Sequence, residues 1–185
     1  MLEIIIQGRG GQGAQLAGSL LARAFFAEGR EVQSFATYGG ARRGTPVSAF
    51  IRVDDTPIRL RCDIERAGAV LCFDASLLEG RLLAAASPQT LIVVNSRRPP
   101  AHFSQALPGL CVLPVDGLEV AARNNLGRMV NSALLGALAR AVGAPALDKL
   151  TATIAAEAPR QARENVAACV DGYSRIDAQL SKAAA

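Results

Sequence analysis

The sequence predicts an α/β fold: a mainly parallel sheet with flanking helices and a helical C-terminal region. Three observations carry this. Strand-length apolar runs alternate with helical periodicity up to about residue 115. From residue 118 onward every periodic segment reads as helix. The first strand ends in Gly8-Arg9-Gly10-Gly11-Gln12-Gly13, a glycine-rich turn that opens a helix, as in Rossmann-like sheets. The length of 185 residues suits a single domain over 1–185, its last helices, about 146–180, forming an arm.

The elements follow in order. Residues 2–7 (LEIIIQ) form an Ile-rich buried strand. Residues 12–28 are helical, with Gln12, Gln15, Ser19 and Arg23 on one narrow polar stripe and apolar side chains nearly all round the rest. Such a helix is covered on most sides. Gly29 closes it, and residues 31–35 read as the second strand of a right-handed βαβ unit. Residues 47–53 alternate, suggesting a half-exposed strand, and residues 58–60 are placed to pair back on it as a hairpin after the turn at residues 54–57. Residues 69–73, 91–94 and 111–115 are further strands, and 76–86 a short helix. Helices are expected at 119–124, 128–142, 147–156 and 160 to about 180. In the last, Ala162, Val166, Cys169, Val170, Tyr173 and Ile176 share the packing face, and residues 181–185 are expected to fray.

Half of the residues are hydrophobic but only 4% are aromatic, so the core is built from Ala, Leu, Val and Ile, and disorder is excluded for the body of the chain. No window approaches the roughly 18 uncharged apolar residues of a membrane span. The N-terminus enters a strand without a basic region or cleavage site, so the expected location is cytoplasmic. The net charge of +4 comes without any block of like charge longer than a pair, which gives no nucleic-acid stripe. The acidic partner to expect is a phosphate or carboxylate. Cys62, Cys72, Cys111 and Cys169 include no C-x-x-C pair, which excludes zinc-ribbon and ferredoxin-type ligation within the chain. Cys72 and Cys111 read as small buried hydrophobes, and His102 as a surface residue in a loop.

Two loops carry binding chemistry. Gly8, Gly10 and Gly13 satisfy G-x-G-x-x-G, and with Gly11 and Gln12 they present backbone N–H groups and a helix dipole to an anion. A nicotinamide dinucleotide would need an acidic residue at the end of the second strand for the ribose, or an Arg for NADP; residues 33–37 (QSFAT) offer neither. The glycines alone also suit a tight turn with no ligand. The second loop, Tyr38-Gly39-Gly40-Ala41-Arg42-Arg43-Gly44-Thr45, falls on the same carboxyl edge. Arg42, Arg43 and Gly44 suit a polyanion, or a solvated turn, or ion pairs with another chain.

The ordered set of G-R-G-G-Q-G, Y-G-G-A-R-R-G and V-S-A-F-I-R-V resembles the γ subunit of the 2-oxoacid:acceptor (pyruvate/2-oxoisovalerate-type ferredoxin) oxidoreductases. Further matches are F-D-A-S-L-L at 73–78, V-N-S at 94–96, L-G-R-M-V-N at 126–131, Leu135-Gly136-Ala137, Glu164-Asn165 and Gly172-Tyr173. Arg43-Gly44-Thr45-Pro46 departs from the family's usual Arg-Gly-Gly. The resemblance implies a subunit of a complex that converts a 2-oxoacid and coenzyme A to acyl-CoA, CO2 and a reduced acceptor. It implies α, β and ferredoxin-like δ-type partner subunits, with thiamine diphosphate, Mg2+ and iron–sulfur clusters in those partners. It also implies that this chain contributes to the coenzyme A site through the glycine and arginine loops, without a catalytic acid, base or metal site of its own. An NAD(P)-dependent enzyme and a purely structural subunit are the alternatives.

Overall fold

The computed structural model describes residues 1–39, 44–158 and 160–184. A six-stranded sheet runs through the molecule in the order β2-β3-β1-β4-β5-β6. Its strands are β1 (Leu2–Arg9), β2 (Glu31–Tyr38), β3 (Pro46–Asp54), β4 (Ala69–Cys72), β5 (Leu91–Asn95) and β6 (Cys111–Val115). β1, β4, β5 and β6 pair in parallel, and helices make the crossovers from β4 to β5 and from β5 to β6. β3 runs opposite to both neighbours, pairing antiparallel with β1 on one side and β2 on the other. The sheet is therefore mainly parallel, as expected, but the expected βαβ unit has β3 inserted between its two strands.

One face of the sheet carries the larger core. Ile4, Ile6, Ile51, Leu71 and Val93 pack there under α1 (Ala14–Phe26), α4 (Gly117–Arg123), α5 (Asn131–Val142), α6 (Leu147–Glu157) and α7 (Ala162–Ala184). α1 buries Ala17, Leu21 and Phe25 against this face, and Gly18 lets it lie directly on Ala49. α5 and α7 cross at two glycines. A Cβ on Gly136 would overlap the carbonyl of Cys169, and one on Gly172 would overlap the carbonyl of Ala133. The other face, built on Ile5, Val70, Cys72, Ile92 and Val94, is covered by α2 (Gly80–Ala84), α3 (Pro100–Ala106) and the irregular segment 55–67.

Several expectations are corrected here. β3 is not half-exposed: Phe50 and Arg52 are buried on its second side as well. Residues 58–60 form no hairpin strand. Side chains hold this stretch instead, Gln33 Nε2 donating to Leu60 O at 2.8 Å, and Arg52 Nη2 donating just beyond it to Cys62 O at 2.8 Å and Asp63 O at 3.2 Å. Arg52 is 1% exposed, and its Nε meets Glu3 Oε1 at 2.7 Å. The expected helix at 76–86 is a 3-10 turn, Ala75–Leu77, followed by the single-turn α2, because the backbone turns extended at Glu79 and Gly80, the first residue of α2, adopts φ +52°. His102 is in a helix, not a loop: Pro100 occupies the first turn of α3, where a missing N–H costs nothing. Cys72 is buried as expected, whereas Cys111 is half-buried. Val170 faces solvent rather than the body. α7 continues as helix to Ala184, beyond the expected fraying point.

Candidate anion-binding site

The glycine loop is built by the end of β1. Gly8 still pairs with Val47, and a Cβ there would press on Phe73 and Ala14 at 3.1–3.2 Å. The loop closes on itself, with Gln12 N–H donating to Arg9 O at 2.9 Å and Gln12 Oε1 accepting from Arg9 N–H at 2.7 Å. Gly10 N–H donates to Thr45 O at 2.9 Å, and Gly10 O accepts from Gly44 N–H at 3.3 Å. Gln12 thus shapes the turn, and the Gly10 and Gln12 amides are already bonded. Gly11 and Gly13 adopt φ +95° and +85°, conformations that disfavour side chains. Gly13 is the N-cap of α1 and no side chain caps the helix, which leaves its first-turn amides for a ligand. Gly44, with φ +86°, lies beside Gly10, so the base of the second loop does abut the glycine loop. Arg42 and Arg43 lie outside the described residues.

Next to Gly11–Gly13 opens a cavity of about 730 Å³. Its apolar wall includes Leu16, Leu20, Phe73, Leu118, Met129 and Ile154. Its polar wall is made by Asn131 and Ser132 at the start of α5, and by Gln161 and Asn165 at the start of α7. Three helices, α1, α5 and α7, therefore bring their positive ends to one space. α5 has neither a side-chain cap nor an acidic residue in its first turn. Asn131 Nδ2 donates to Gly13 O at 3.1 Å and fills the volume that a Gly13 side chain would need. Ser132 Oγ donates to Asn165 Oδ1 at 2.7 Å, fixing α5 to α7.

Arg128 and Arg160 stand on this wall, and among the described residues neither is in an ion pair. The one carboxylate lining the cavity, Glu157, is already paired with Arg23 at 2.7 Å. The cavity is electropositive and sized for a small organic anion. Arg128, Asn131, Arg160 and Asn165 were not among the expected site residues. Three of them stand in segments that carry the family resemblance, but only the folding of α5 and α7 against the glycine loop brings them to it.

Behind the loop, Arg9 Nε meets Asp74 Oδ2 at 2.8 Å, Nη2 donates to Ser76 Oγ at 2.9 Å, and Nη1 donates to Gly44 O at 3.2 Å. Partial burial pushes the Asp74 carboxyl up, but hydrogen bonds from Ser76 and Arg9 outweigh it and hold the group below its ordinary value. Among the described residues no three His, Cys, Asp or Glu side chains are grouped to hold a metal ion. No described helix is long and apolar enough to cross a membrane. The strand beside β1 on the glycine-loop side is the antiparallel β3, so no acidic strand end stands where a dinucleotide ribose would lie.

Residues 3–175 match the family model of pyruvate ferredoxin/flavodoxin oxidoreductase. The chain is 38% identical over 158 residues to the pyruvate/ketoisovalerate oxidoreductases common subunit gamma of Thermococcus kodakarensis, covering 83% of this chain and 85% of that one. Among solved structures, the pyruvate oxidoreductase subunit PORC of Thermotoga maritima superposes with a TM-score of 0.81 at 30% identity, over 94% of this chain and 95% of that one. A 2-oxoglutarate:ferredoxin oxidoreductase from Magnetococcus marinus, solved with 2-oxoglutarate, coenzyme A and succinyl-CoA bound, shares the fold at a TM-score of 0.76 and 20% identity. The match covers 96% of this chain and 31% of that one.

Proposed function

The chain belongs to the pyruvate ferredoxin/flavodoxin oxidoreductase family as a γ-type subunit, and on that premise we propose that it supplies part of the coenzyme A site of its complex. The observation that carries this reading is the electropositive cavity beside the glycine loop, with Arg128 and Arg160 on its wall and three helix N-termini facing it. A pyrophosphate suits such a place, because unpaired amides and guanidinium forks both favour phosphate oxygens. The apolar wall suits the less polar parts of the same molecule. Coenzyme A is bound in the Magnetococcus marinus protein of the same fold.

In this reading Gly8 gives the loop its close packing, Gly10 its bonds to the base of the neighbouring loop, Gly11 and Gly13 its exposed amides, and Gln12 its closure. Arg42 and Arg43, with Gly44 at their base, add a second pair of cations from the neighbouring loop. Coenzyme A supplies the thiol that accepts the acyl group. Thiamine diphosphate, Mg2+ and the iron–sulfur clusters belong to the α, β and ferredoxin-like δ-type subunits, and the chain works in the cytoplasm. The γ chain binds and orients the acceptor and helps the complex assemble, offering Phe26 and Tyr38 as exposed apolar contacts.

The test is steady-state kinetics on size-selected complexes carrying Arg128→Ala and Arg160→Ala. Charge-assisted contacts are worth about 1.5–3 kcal/mol each, so the double variant raises the coenzyme A KM at least about tenfold. The 2-oxoacid KM stays within about twofold, well under the 1.4 kcal/mol that marks a decade. An unchanged coenzyme A KM in intact complexes refutes the assignment.

A further inference from the structure

Arg9 stands inside the glycine motif, and a cation at that position invites a role as a phosphate ligand. Its bonding says otherwise. The guanidinium already serves three acceptors on two segments of the carboxyl edge: Nε on Asp74 Oδ2 at 2.8 Å, Nη2 on Ser76 Oγ at 2.9 Å, and Nη1 on Gly44 O at 3.2 Å. The Asp74 carboxylate neutralises its charge, and the same carboxylate is held by Ser76 N–H at 3.0 Å and Ser76 Oγ at 2.7 Å. The fork is thus committed to the segment after β4 and to Gly44, and Arg9 does not line the cavity.

Four further bonds connect this clasp to the site. Gly44, whose carbonyl Arg9 holds, donates its N–H to Gly10 O at 3.3 Å, and Thr45 accepts from Gly10 N–H. Arg9 N–H and O both bond Gln12, the residue that closes the turn. The position of Gly11 and Gly13 therefore depends on where Arg9 is anchored. We infer that Arg9 is a positioning residue for anion binding: it sets the glycine loop against the segment after β4 and the base of the second loop, and contacts no ligand itself. The inference rests on the coenzyme A reading above.

A planar, five-donor fork is needed to reach three acceptors at once, and an ammonium cannot reproduce it. Arg9→Lys keeps the charge and loses the clasp; Asp74→Asn keeps Arg9 and frees its charge. Both are made in the assembled complex, size-selected, and their steady-state constants are compared with those of Arg128→Ala. The expected result is a coenzyme A KM raised about tenfold in both Arg9→Lys and Asp74→Asn, with kcat at saturating coenzyme A and the 2-oxoacid KM within about twofold. A general loss of structure would lower kcat and move both KM values together. If Arg9 is a direct phosphate ligand, Arg9→Lys also raises the coenzyme A KM, because an ammonium replaces the fork poorly, but Asp74→Asn frees the Arg9 charge and lowers the KM; a lowered KM in Asp74→Asn overturns the inference. Unchanged values in both variants, with a raised KM in Arg128→Ala, overturn it while the coenzyme A reading stands. Unchanged values in all three remove that reading, and this inference with it. Should Arg9→Lys fail to assemble, Asp74→Asn alone decides, since the two views give opposite signs for it.

Discussion

Gly136→Ala puts a single methyl group into the α5–α7 crossing. On an exposed helix that change stabilises by up to about 1 kcal/mol. Here the new Cβ would overlap the carbonyl oxygen of Cys169 and lie 2.7 Å from its carbonyl carbon. Neither obstacle can rotate away, because both belong to the backbone of α7. The helices must separate, and the side chains around the crossing, Ala133, Ala137, Ala168, Cys169 and Ile176, are all fully buried and lose contact as they do. Overpacking of this kind costs typically 1–3 kcal/mol, and at a backbone-to-backbone contact the upper end applies, leaving a net loss of about 2 kcal/mol after the propensity gain. For a chain of 185 residues this lowers Tm by about 4–8 °C. Thermal unfolding followed by far-UV circular dichroism, with wild type and variant in the same assembly state, measures it. Gly172→Ala, aimed at the carbonyl of Ala133, should behave alike. A Tm equal to or above wild type for Gly136→Ala would mean that propensity alone governs the site and that the helices are not in backbone contact.

Three other outcomes follow from the geometry. Glu3→Ala leaves the buried Arg52 cation without its carboxylate and costs about 3 kcal/mol in urea unfolding, the low end of the range for broken buried pairs, because Gln33 Oε1, Cys62 O and Asp63 O still accept from Arg52. Glu3→Gln, which keeps an acceptor but not the charge, costs less; equal losses would discount the hydrogen bond and assign the whole effect to the charge. The Asp74 carboxyl is held below its ordinary value of 3.8, so its contribution is complete above that pH and is lost as pH falls through the lower folded-state value. The Tm difference between wild type and Asp74→Asn is accordingly constant from about pH 7 to 5 and shrinks below about pH 4; a difference that shrinks between pH 7 and 5 contradicts this. Burial pushes the Cys72 and Cys169 thiols up to about 12, so iodoacetamide at pH 8 modifies the exposed Cys62 and spares both, as peptide mass mapping of the native protein will show. Labelling of Cys169 as fast as Cys62 would contradict the α5–α7 packing.

What the sequence made legible was whatever depends on local pattern. The Ile run of β1, the glycine turn and the apolar α1 announce themselves within the first 26 residues, and the parallel strands by their apolar runs. What escaped depends on partners far along the chain. Arg52 reads as the solvent side of a strand, yet Glu3 and the carbonyls of residues 62 and 63 allow it to be buried. The insertion of β3 between β1 and β2 leaves no local trace, because alternation does not say which strand lies alongside. α3 was hidden by Pro99-Pro100, read as a loop although a proline suits a helix start. Of the candidate site, the glycine half was visible at once; Arg128, Asn131 and Arg160 were not, because nothing short of the tertiary fold carries residues 128–165 to Gly13.

The contact between Gly13 and Asn131 binds the histories of two positions 118 residues apart. A side chain at 13 meets two obstacles of different kinds: a backbone conformation that disfavours it, and an amide already standing where its Cβ would go. Shrinking residue 131 removes the second and leaves the first. Substitutions therefore have a favoured order. A side chain at 13 is admitted most easily once residue 131 is small, since otherwise the Asn131 amide must swing aside and give up its bond to Gly13 O, and a side chain at 13 then keeps Asn131 from its present place until 13 is glycine again. Among homologous chains, a non-glycine residue at 13 should be found mostly together with Ala, Ser or Gly at 131, and a lineage that keeps Asn at 131 should keep glycine at 13.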